Sequence, residues 1–231
     1  MLAIRAILHD QDVLGSILFC LSLNFKQMAL YYSPVFFFCL LRKCYEKSLS
    51  SRVLGLLHLC KIGISVIVTF AVLWMPFCVY ASPGETCISS LLHVLSRQFP
   101  FSRGIFEDKV ANLWYVLSVI IDIRHYCSIT TLAQLSMLLT ILLILPIAID
   151  LLRRPVTPIR IILSLLNCSM AFFLASFQVH EKSLLLSLLP AMMLLDHEPL
   201  LVCWFQLLGE CRCMYYVVSS SHSLTCASTN P

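Results

Sequence analysis

The sequence predicts an all-helical protein that crosses a membrane several times, and its composition and apolar stretches support this fold class. Hydrophobic residues make up 59% of the 231 positions and charged residues only 12%, against about 45–50% and 25% in soluble domains. Mean hydropathy is +0.89. Apolar stretches close to the roughly 20 residues that a bilayer crossing needs recur along the chain. These observations exclude one large soluble core.

Six apolar stretches define the predicted membrane region, which extends over residues 1–208. Four of them are regular enough to predict spans, at residues 54–80, 132–151, 161–178 and 184–207. The segment at 113–123 is too short to cross, so an interfacial or re-entrant helix is predicted. The stretch at 13–41 is interrupted by Asn24-Phe25-Lys26-Gln27. Its two halves are too short to cross alone, which leaves a tilted, a kinked and a hairpin arrangement open.

Basic residues between the apolar stretches predict the orientation, because cytoplasmic loops are enriched in Lys and Arg. One group, predicted to be a loop, contains Arg42, Lys43, Lys47 and Arg52, and a second contains Arg153, Arg154 and Arg160. Pro155 and Pro158 keep the second turn out of helix. With both groups in the cytoplasm, residues 81–131 form a loop on the opposite, luminal side, and residues 179–183 emerge there too.

Two charged blocks are the candidate functional residues, since ionisable groups beside a bilayer are costly and indicate function. The first contains Glu107, Asp108 and Lys109, and the second contains His180, Glu181 and Lys182. The orientation predicts both on one side of the membrane. Carboxylates that accept a proton from a hydroxyl, beside cations that hold a phosphate, suit sugar transfer from a phospholipid carrier. Ordinary solvated loops are the alternative.

Lys26 and Lys61 are the two lysines within apolar stretches. Lys26 either snorkels to the interface or lines a lipid or sugar cavity. Lys61 lies within two turns of the predicted cytoplasmic end of its span, so a structural role is predicted.

Several other functions and sites are excluded or disfavoured. The net charge of +4 is small and its cations are dispersed, which argues against nucleic-acid binding. Leu184 stands where a metalloprotease motif starting at His180 would need its second histidine, and no Gly-x-Ser-x-Gly turn occurs. Neither a metal site nor a cofactor is predicted. Among the twelve cysteines, Cys78 and Cys87 are the plausible disulfide pair. Residues 209–231 lose the apolar pattern and are predicted to be a disordered tail.

Three sequence blocks carry a family resemblance over residues 10–205. They are LNFKQMALYYSPVFFFCLL, FPFSRGIFEDKVANLW and SFQVHEKSLLL, and they closely resemble the dolichyl-phosphate-glucose-dependent α-1,3-glucosyltransferases of the endoplasmic reticulum. The closer resemblance is to the first-glucose enzyme of lipid-linked oligosaccharide assembly.

The resemblance implies a GT-C-type helical membrane body in the endoplasmic reticulum membrane, with its site in the lumen. The implied donor is dolichyl phosphate glucose, and the implied acceptor is a mannose of the dolichyl-diphosphate-linked oligosaccharide. It also implies that Glu107, Asp108, His180 and Glu181 lie near the donor phosphate and the acceptor, with Lys109 and Lys182 as weaker candidates.

The resemblance also implies a missing part, because the family's catalytic base lies in a luminal loop ahead of these blocks. No residue of this chain matches that base, so the chain resembles the carboxy-terminal half of such an enzyme. A glucosyltransferase family member whose isolated chain is inactive is therefore the leading expectation. A non-catalytic shortened isoform or a lipid-binding membrane scaffold is the alternative.

Overall fold

The computed structural model describes residues 1–79, 86–98, 113–120, 128–176 and 183–209. Within these ranges the chain is almost entirely helical and contains no strand, which confirms the all-α prediction. Three of the described helices are long and apolar enough to cross a membrane. They correspond to the predicted spans at 54–80, 132–151 and 161–178.

The helices are numbered in chain order. They are α1 (Leu2–Leu8), α2 (Asp12–Phe25), a 3₁₀ helix (Gln27–Tyr32), α3 (Ser33–Ser50), α4 (Arg52–Val79), α5 (Cys87–Gln98), α6 (Leu113–Ile120), α7 (Ile129–Arg153), α8 (Pro158–Ala175), α9 (Leu184–Met192) and α10 (Pro199–Gly209).

The apolar stretch at 13–41 forms a helical hairpin, which resolves the three arrangements that the sequence left open. Helix α2 ends at Phe25, Lys26 is extended at φ −145° and ψ 113°, and the 3₁₀ helix then turns the chain into α3. Asn24 Oδ1 accepts a hydrogen bond of 2.7 Å from Trp74 Nε1, near the end of α4. The hairpin tip therefore lies level with the last turns of α4.

The predicted single span at 184–207 is wrong. The structure divides it into α9 and α10, with turns at residues 193–197 between them. The polar residues Asp196, His197 and Glu198 interrupt the apolar run there. Pro199 disfavours helix at the residue before it and suits the first position of a new helix. The two halves form a short antiparallel pair, in which Gly209 lies beside Leu188.

The first basic group does not form a loop, in contrast to the prediction. Arg42, Lys43 and Lys47 belong to the last turns of α3, and only Ser51 separates α3 from α4. Arg42 Nη1 donates a hydrogen bond of 2.8 Å to the carbonyl of Leu152, beside the second basic group. Both groups thus lie at one end of the helical body, which we call the basic end. The opposite end, marked by Asn24, Trp74 and Ala175, is the far end.

The main buried core joins α1, α3, α7 and α8. Leu151 and Cys168 are fully buried within it, and Val35 and Cys39 are each 1% exposed. Phe19 of α2 stacks on Phe36 of α3 at a centroid distance of 4.2 Å. This core fixes α8, whose far end carries the candidate site, against the α2–α3 hairpin.

A buried ionic cluster that sequence reasoning missed lies at the basic end. This Asp12 cluster consists of Asp10, Asp12, Lys43, Lys47 and His58. The Asp12 side chain is fully buried, and its Oδ1 lies 2.9 Å from Lys43 Nζ. Its Oδ2 lies 2.8 Å from His58 Nε2 and 3.4 Å from Lys47 Nζ. The cluster ties α2, α3 and α4 together through one carboxylate.

Asp10 is the exposed member of the Asp12 cluster. Its carboxylate lies 2.9 Å from Lys43 Nζ and its side chain is 84% exposed. The hydrogen bond and positive charge of Lys43 hold the pKa of Asp10 below its usual range. A lowered folded-state pKa stabilises the protein above the unfolded pKa of about 4, and this stabilisation is lost as the pH falls through the folded value. Solvent screening keeps the contribution small.

A disulfide joins Cys78 of α4 to Cys87 of α5 at the far end, as the sequence predicted. Helix α5, which the sequence analysis did not predict, therefore starts next to the end of α4. The sequence did contain a pattern that indicates this helix, since Ile88, Leu91, Leu92 and Leu95 are spaced to lie on one helical face. Disulfide bonds are typical of oxidising compartments.

We expect Cys78 and Cys87 to react with N-ethylmaleimide only after reduction, when the protein is denatured in detergent and its peptides are examined by mass spectrometry. Cys60, a free thiol in the structure, is the control that reacts without reduction. A Cys78→Ser variant should convert Cys87 into a freely reactive thiol. Labelling of both cysteines in the unreduced wild-type protein would contradict the disulfide.

Candidate functional site

The far end is organised around the carbonyl oxygen of Ala175, the last residue of α8. Such a carbonyl has no partner within its own helix. Here it accepts a hydrogen bond of 2.8 Å from Trp114 Nε1 of α6 and one of 2.6 Å from Ser136 Oγ of α7. Trp114 is only 4% exposed and Ser136 1%. One oxygen atom thus holds the far ends of three helices together.

The hairpin tip joins this arrangement from the other side of α8. Tyr31 stacks on Phe172 of α8, with ring centroids 4.9 Å apart and planes 4° from parallel. The Tyr32 hydroxyl donates to the carbonyl of Leu186 in α9. Cys168 Sγ lies 3.3 Å from the carbonyl oxygen of Tyr31. The 3₁₀ helix thereby links α8 with α9 at the point where the sequence places the second charged block between them.

Two buried serines on the same side of the site have incomplete hydrogen bonding. Ser183 and Ser187 are fully buried, and neither Oγ has a hydrogen-bond partner among the described residues. The Tyr31 hydroxyl is the polar group near Ser183, but this pair lacks full hydrogen-bond geometry. Buried hydroxyls are normally paired. These two hydroxyls, which follow the second block in the sequence, therefore keep hydrogen-bonding capacity that the described residues do not use.

Most of the predicted site residues lie outside the described residues. These are Glu107, Asp108, Lys109, His180, Glu181 and Lys182. The described residues that flank them do meet, because Trp114 follows the first block and Ala175 precedes the second. Lys26 is described: it lies exposed beside the hairpin tip at the far end, and none of the ion pairs among the described residues includes it.

Sequence reasoning missed the residues that assemble this end. Trp114 closes the FPFSRGIFEDKVANLW block, and an amphipathic indole after a charged block was the available signal for an anchor at a membrane surface. Ser183 directly follows His180-Glu181-Lys182, and Ser187 lies four residues further on, on the same helical face. The Ser136 contact left no sequence signal, because it depends on how α7 packs against α8.

The geometry favours a binding site for a polar group at a membrane surface. Aromatic side chains, free hydroxyls and an exposed lysine gather where three chain segments meet. In the described part of the chain, no group of three His, Cys, Asp or Glu side chains is arranged to hold a metal ion.

Comparison with known proteins identifies the family. Residues 1–224 match the ALG6, ALG8 glycosyltransferase family. The chain belongs to this family. With its three membrane-length helices, it is a multi-pass membrane protein, and its helical membrane body agrees with the GT-C-type fold that the resemblance implied.

Named relatives of this family cover most of the chain. The chain is 45% identical over 202 residues to a chicken protein, the dolichyl pyrophosphate Man9GlcNAc2 alpha-1,3-glucosyltransferase of Gallus gallus. It is 44% identical over 209 residues to the Dictyostelium discoideum protein, whose name carries the qualifier "probable", and 41% identical over 200 residues to the Mus musculus protein. These matches cover 87–90% of the chain but only 38–39% of each relative.

Proposed function

We propose that this chain forms part of an α-1,3-glucosyltransferase that transfers glucose from dolichyl phosphate glucose to the dolichyl-diphosphate-linked oligosaccharide. The named relatives support the reaction class, since all three carry the name of that activity. The proposed location is the endoplasmic reticulum membrane. The sugar acceptor and the donor's glucosyl phosphate would meet the chain at its far end, on the luminal side.

The observation that carries this proposal is the contact between Trp114 and Ala175 at the far end. Asp108 lies six residues before Trp114, and His180 lies five residues after Ala175. A chain spans at most about 3.6 Å per residue, so six residues span at most about 22 Å and five residues at most about 18 Å. Both blocks can therefore serve one site, although they are about 70 residues apart in the sequence.

We assign complementary roles in this site to the acidic and the basic residues of the two blocks. Glu107, Asp108 and Glu181 would orient acceptor hydroxyls through charge-assisted hydrogen bonds. His180, Lys109 and Lys182 would stabilise the negative charge that grows on the departing dolichyl phosphate. Lys26, exposed at the same end, is a further candidate for contact with the donor phosphate.

The separation of charges between the two ends supports the orientation. The basic end carries seven Lys and Arg residues, namely Arg42, Lys43, Lys47, Arg52, Arg153, Arg154 and Arg160, as expected for the cytoplasmic side. The Cys78–Cys87 disulfide lies at the opposite end, as expected for the oxidising lumen.

A chimera tests the proposed function directly. In the chicken relative, the segment aligned to this chain would be replaced by the chain's own residues. We expect the chimera to restore glucosylation of lipid-linked oligosaccharides in cells that lack the enzyme, measured by chromatography of the released glycans. A chimera that folds, by size-exclusion chromatography, yet transfers no glucose would argue for the non-catalytic alternative.

Within the active chimera, we expect His180→Ala to reduce glucose transfer about 100-fold, since loss of one charge-stabilising group costs about 10²–10³ in rate. We expect a similar loss from Asp108→Ala, because a misplaced reacting group can cost about 10²-fold. Lys61→Ala is the matched control, because Lys61 lies in α4 near the basic end and should change transfer less than two-fold. Equal losses from all three variants would show that the two blocks have only a structural role.

A further inference from the structure

A groove of about 810 Å³ runs between α7 and α8, from the basic end towards the far end. Its volume falls within the range of ordinary ligand pockets. The wall is apolar along most of its length and includes Leu143, Ile147, Leu163 and Leu174. At the basic end it closes on Asp150, Arg154 and Arg160. The groove therefore has the shape of an amphiphile, with one polar end and a long apolar body.

The apolar wall is exposed on the surface of the described helices. Leu143 is 39% exposed, Leu163 43% and Leu174 40%. From Ile159 to Leu174 the groove follows α8 for about 22 Å, at 1.5 Å per residue. One leaflet of the hydrocarbon core is about 15 Å thick. The groove is thus long enough for a complete acyl chain.

A proline accompanies the groove along α7. Pro146 lies inside that helix and lines the groove. A proline in a helix interior removes one backbone hydrogen bond and clashes with the preceding turn, which favours a kink in the helix that carries it.

The polar end of the groove carries a net positive charge. Asp150 Oδ1 lies 3.4 Å from Arg154 Nε, and its Oδ2 lies 3.3 Å from Arg160 Nε. One carboxylate thus pairs with two guanidinium groups. Each guanidinium has five N–H donors, so it keeps donors that this carboxylate does not engage. Arg160 Nη1 also donates to the carbonyl of Pro155 at 2.7 Å, which fixes its orientation. A planar guanidinium held in one orientation can donate two parallel hydrogen bonds to the oxygens of a phosphate group.

Asn167 adds a polar group inside the groove. It lines the wall two helical turns beyond Arg160, and it is exposed. An amide that faces hydrocarbon is unfavourable unless it is hydrogen-bonded. The ester carbonyls of a glycerolipid lie just below its phosphate, so they can reach this amide.

We propose that the α7–α8 groove is a binding site for an anionic glycerophospholipid. The phosphate lies between Arg154 and Arg160, an ester carbonyl accepts from Asn167, and one acyl chain follows the apolar wall towards Leu174. A zwitterionic lipid fits less well, because its own cation meets the positive end of the groove. This inference does not depend on the glucosyl transfer proposed above.

The test uses the purified chain in detergent, with native mass spectrometry to count bound lipid. Phosphatidylinositol and phosphatidylcholine with identical acyl chains are the two probes, and glycerophosphoinositol supplies the same phosphate headgroup without chains. We expect phosphatidylinositol to be retained at least about five-fold better than phosphatidylcholine. The headgroup alone should not bind. Binding of glycerophosphoinositol as tight as that of the lipid would instead indicate a free-phosphate site and overturn the proposal.

Charge-matched variants locate the site. We expect Arg160→Gln to lower phosphatidylinositol retention about five-fold, and Asn167→Leu to lower it less. Arg52→Gln removes the same charge from the start of α4, outside the groove, and should leave retention unchanged. Arg160→Lys keeps the charge but loses the paired guanidinium donors, so its phosphatidylinositol retention should lie between those of the wild-type protein and Arg160→Gln. Equal retention by Arg160→Gln and Arg52→Gln, or equal retention of both lipids by the wild-type protein, would overturn the proposal.

A photo-crosslinking amino acid at Leu163, in native membranes, gives a readout that does not depend on detergent. A phosphoglyceride adduct is the expected product. An adduct with a polypeptide would show that protein covers the groove, and an adduct with a polyprenyl phosphate would show that the groove holds a different lipid. Either result contradicts the proposal.

Discussion

The Asp12→Asn variant is expected to lose about 3 kcal/mol or more of its free energy of unfolding. Asp12 is fully buried, and its carboxylate is shared by Lys43, Lys47 and His58. Breaking a buried ion pair by removing one partner costs about 3–5 kcal/mol, because the remaining charge stays buried without compensation. Lys43, whose side chain is 10% exposed, would then keep only the Asp10 carboxylate, on a side chain that is 84% exposed, as its ion-pair partner. Unfolding in mixed micelles, followed by circular dichroism, measures the loss.

Asp10→Asn is the matched control for this prediction. Asp10 pairs with the same Lys43 nitrogen at the same distance of 2.9 Å, but its side chain is 84% exposed. Exposed ion pairs contribute about 0–1 kcal/mol, so this variant should lie within 1 kcal/mol of the wild-type protein. If both variants lose equal stability, burial of Asp12 is not the source of the effect.

Gly55→Ala is expected to cost about 1–3 kcal/mol of unfolding free energy, the usual range for overpacking. A Cβ atom at Gly55 would lie 2.5 Å from Ser48 Cβ, 2.8 Å from Ser48 Cα and 2.9 Å from the carbonyl oxygen of Cys44. Two of these atoms belong to the backbone of α3, so they cannot move aside as a flexible side chain would. The two helices must separate, and they lose the close packing that small residues allow in membranes.

Gly63→Ala, two turns further along α4, provides the comparison. Nothing lies within 4 Å of a Cβ atom placed there. Alanine is favoured over glycine in helices by up to about 1 kcal/mol, so this variant should be neutral or slightly more stable. Thermal unfolding of both variants in the same detergent separates the two effects. A Gly55→Ala protein as stable as Gly63→Ala would show that α3 and α4 are not in close contact at this point.

Hydrophobic length predicted the membrane helices, but it did not predict where they break. The long apolar runs that became α4, α7 and α8 carried enough signal, because a span is a local property of about 20 residues. The run at 184–207 was misread because its apolar average concealed Asp196, His197 and Glu198 before Pro199. The hairpin at 13–41 was unresolved because its turn depends on contacts with α4 and α8, such as that between Asn24 and Trp74.

The sequence proposed residues for the candidate site, and the two charged blocks among them stay a prediction because they lie outside the described residues. It did not predict the framework that holds their flanks. Residue types and sidedness indicated the two charged blocks, since costly polar residues in an apolar chain are visible in the sequence. The contacts that hold their flanks, from Trp114 and Ser136 to Ala175, join residues up to 61 positions apart. The Asp12 cluster was missed for the same reason: its partners come from three helices, and each residue alone resembles a solvated charge.

The two hydrogen bonds that the Ala175 carbonyl oxygen accepts make the far end tolerant to substitution of either donor. A carbonyl oxygen can accept two hydrogen bonds. Either the indole of Trp114 or the hydroxyl of Ser136 is sufficient to give this buried oxygen a hydrogen-bond partner. Related chains can therefore replace one donor at little cost while the other remains. The simultaneous loss of both would leave this oxygen without a hydrogen-bond donor among the described residues.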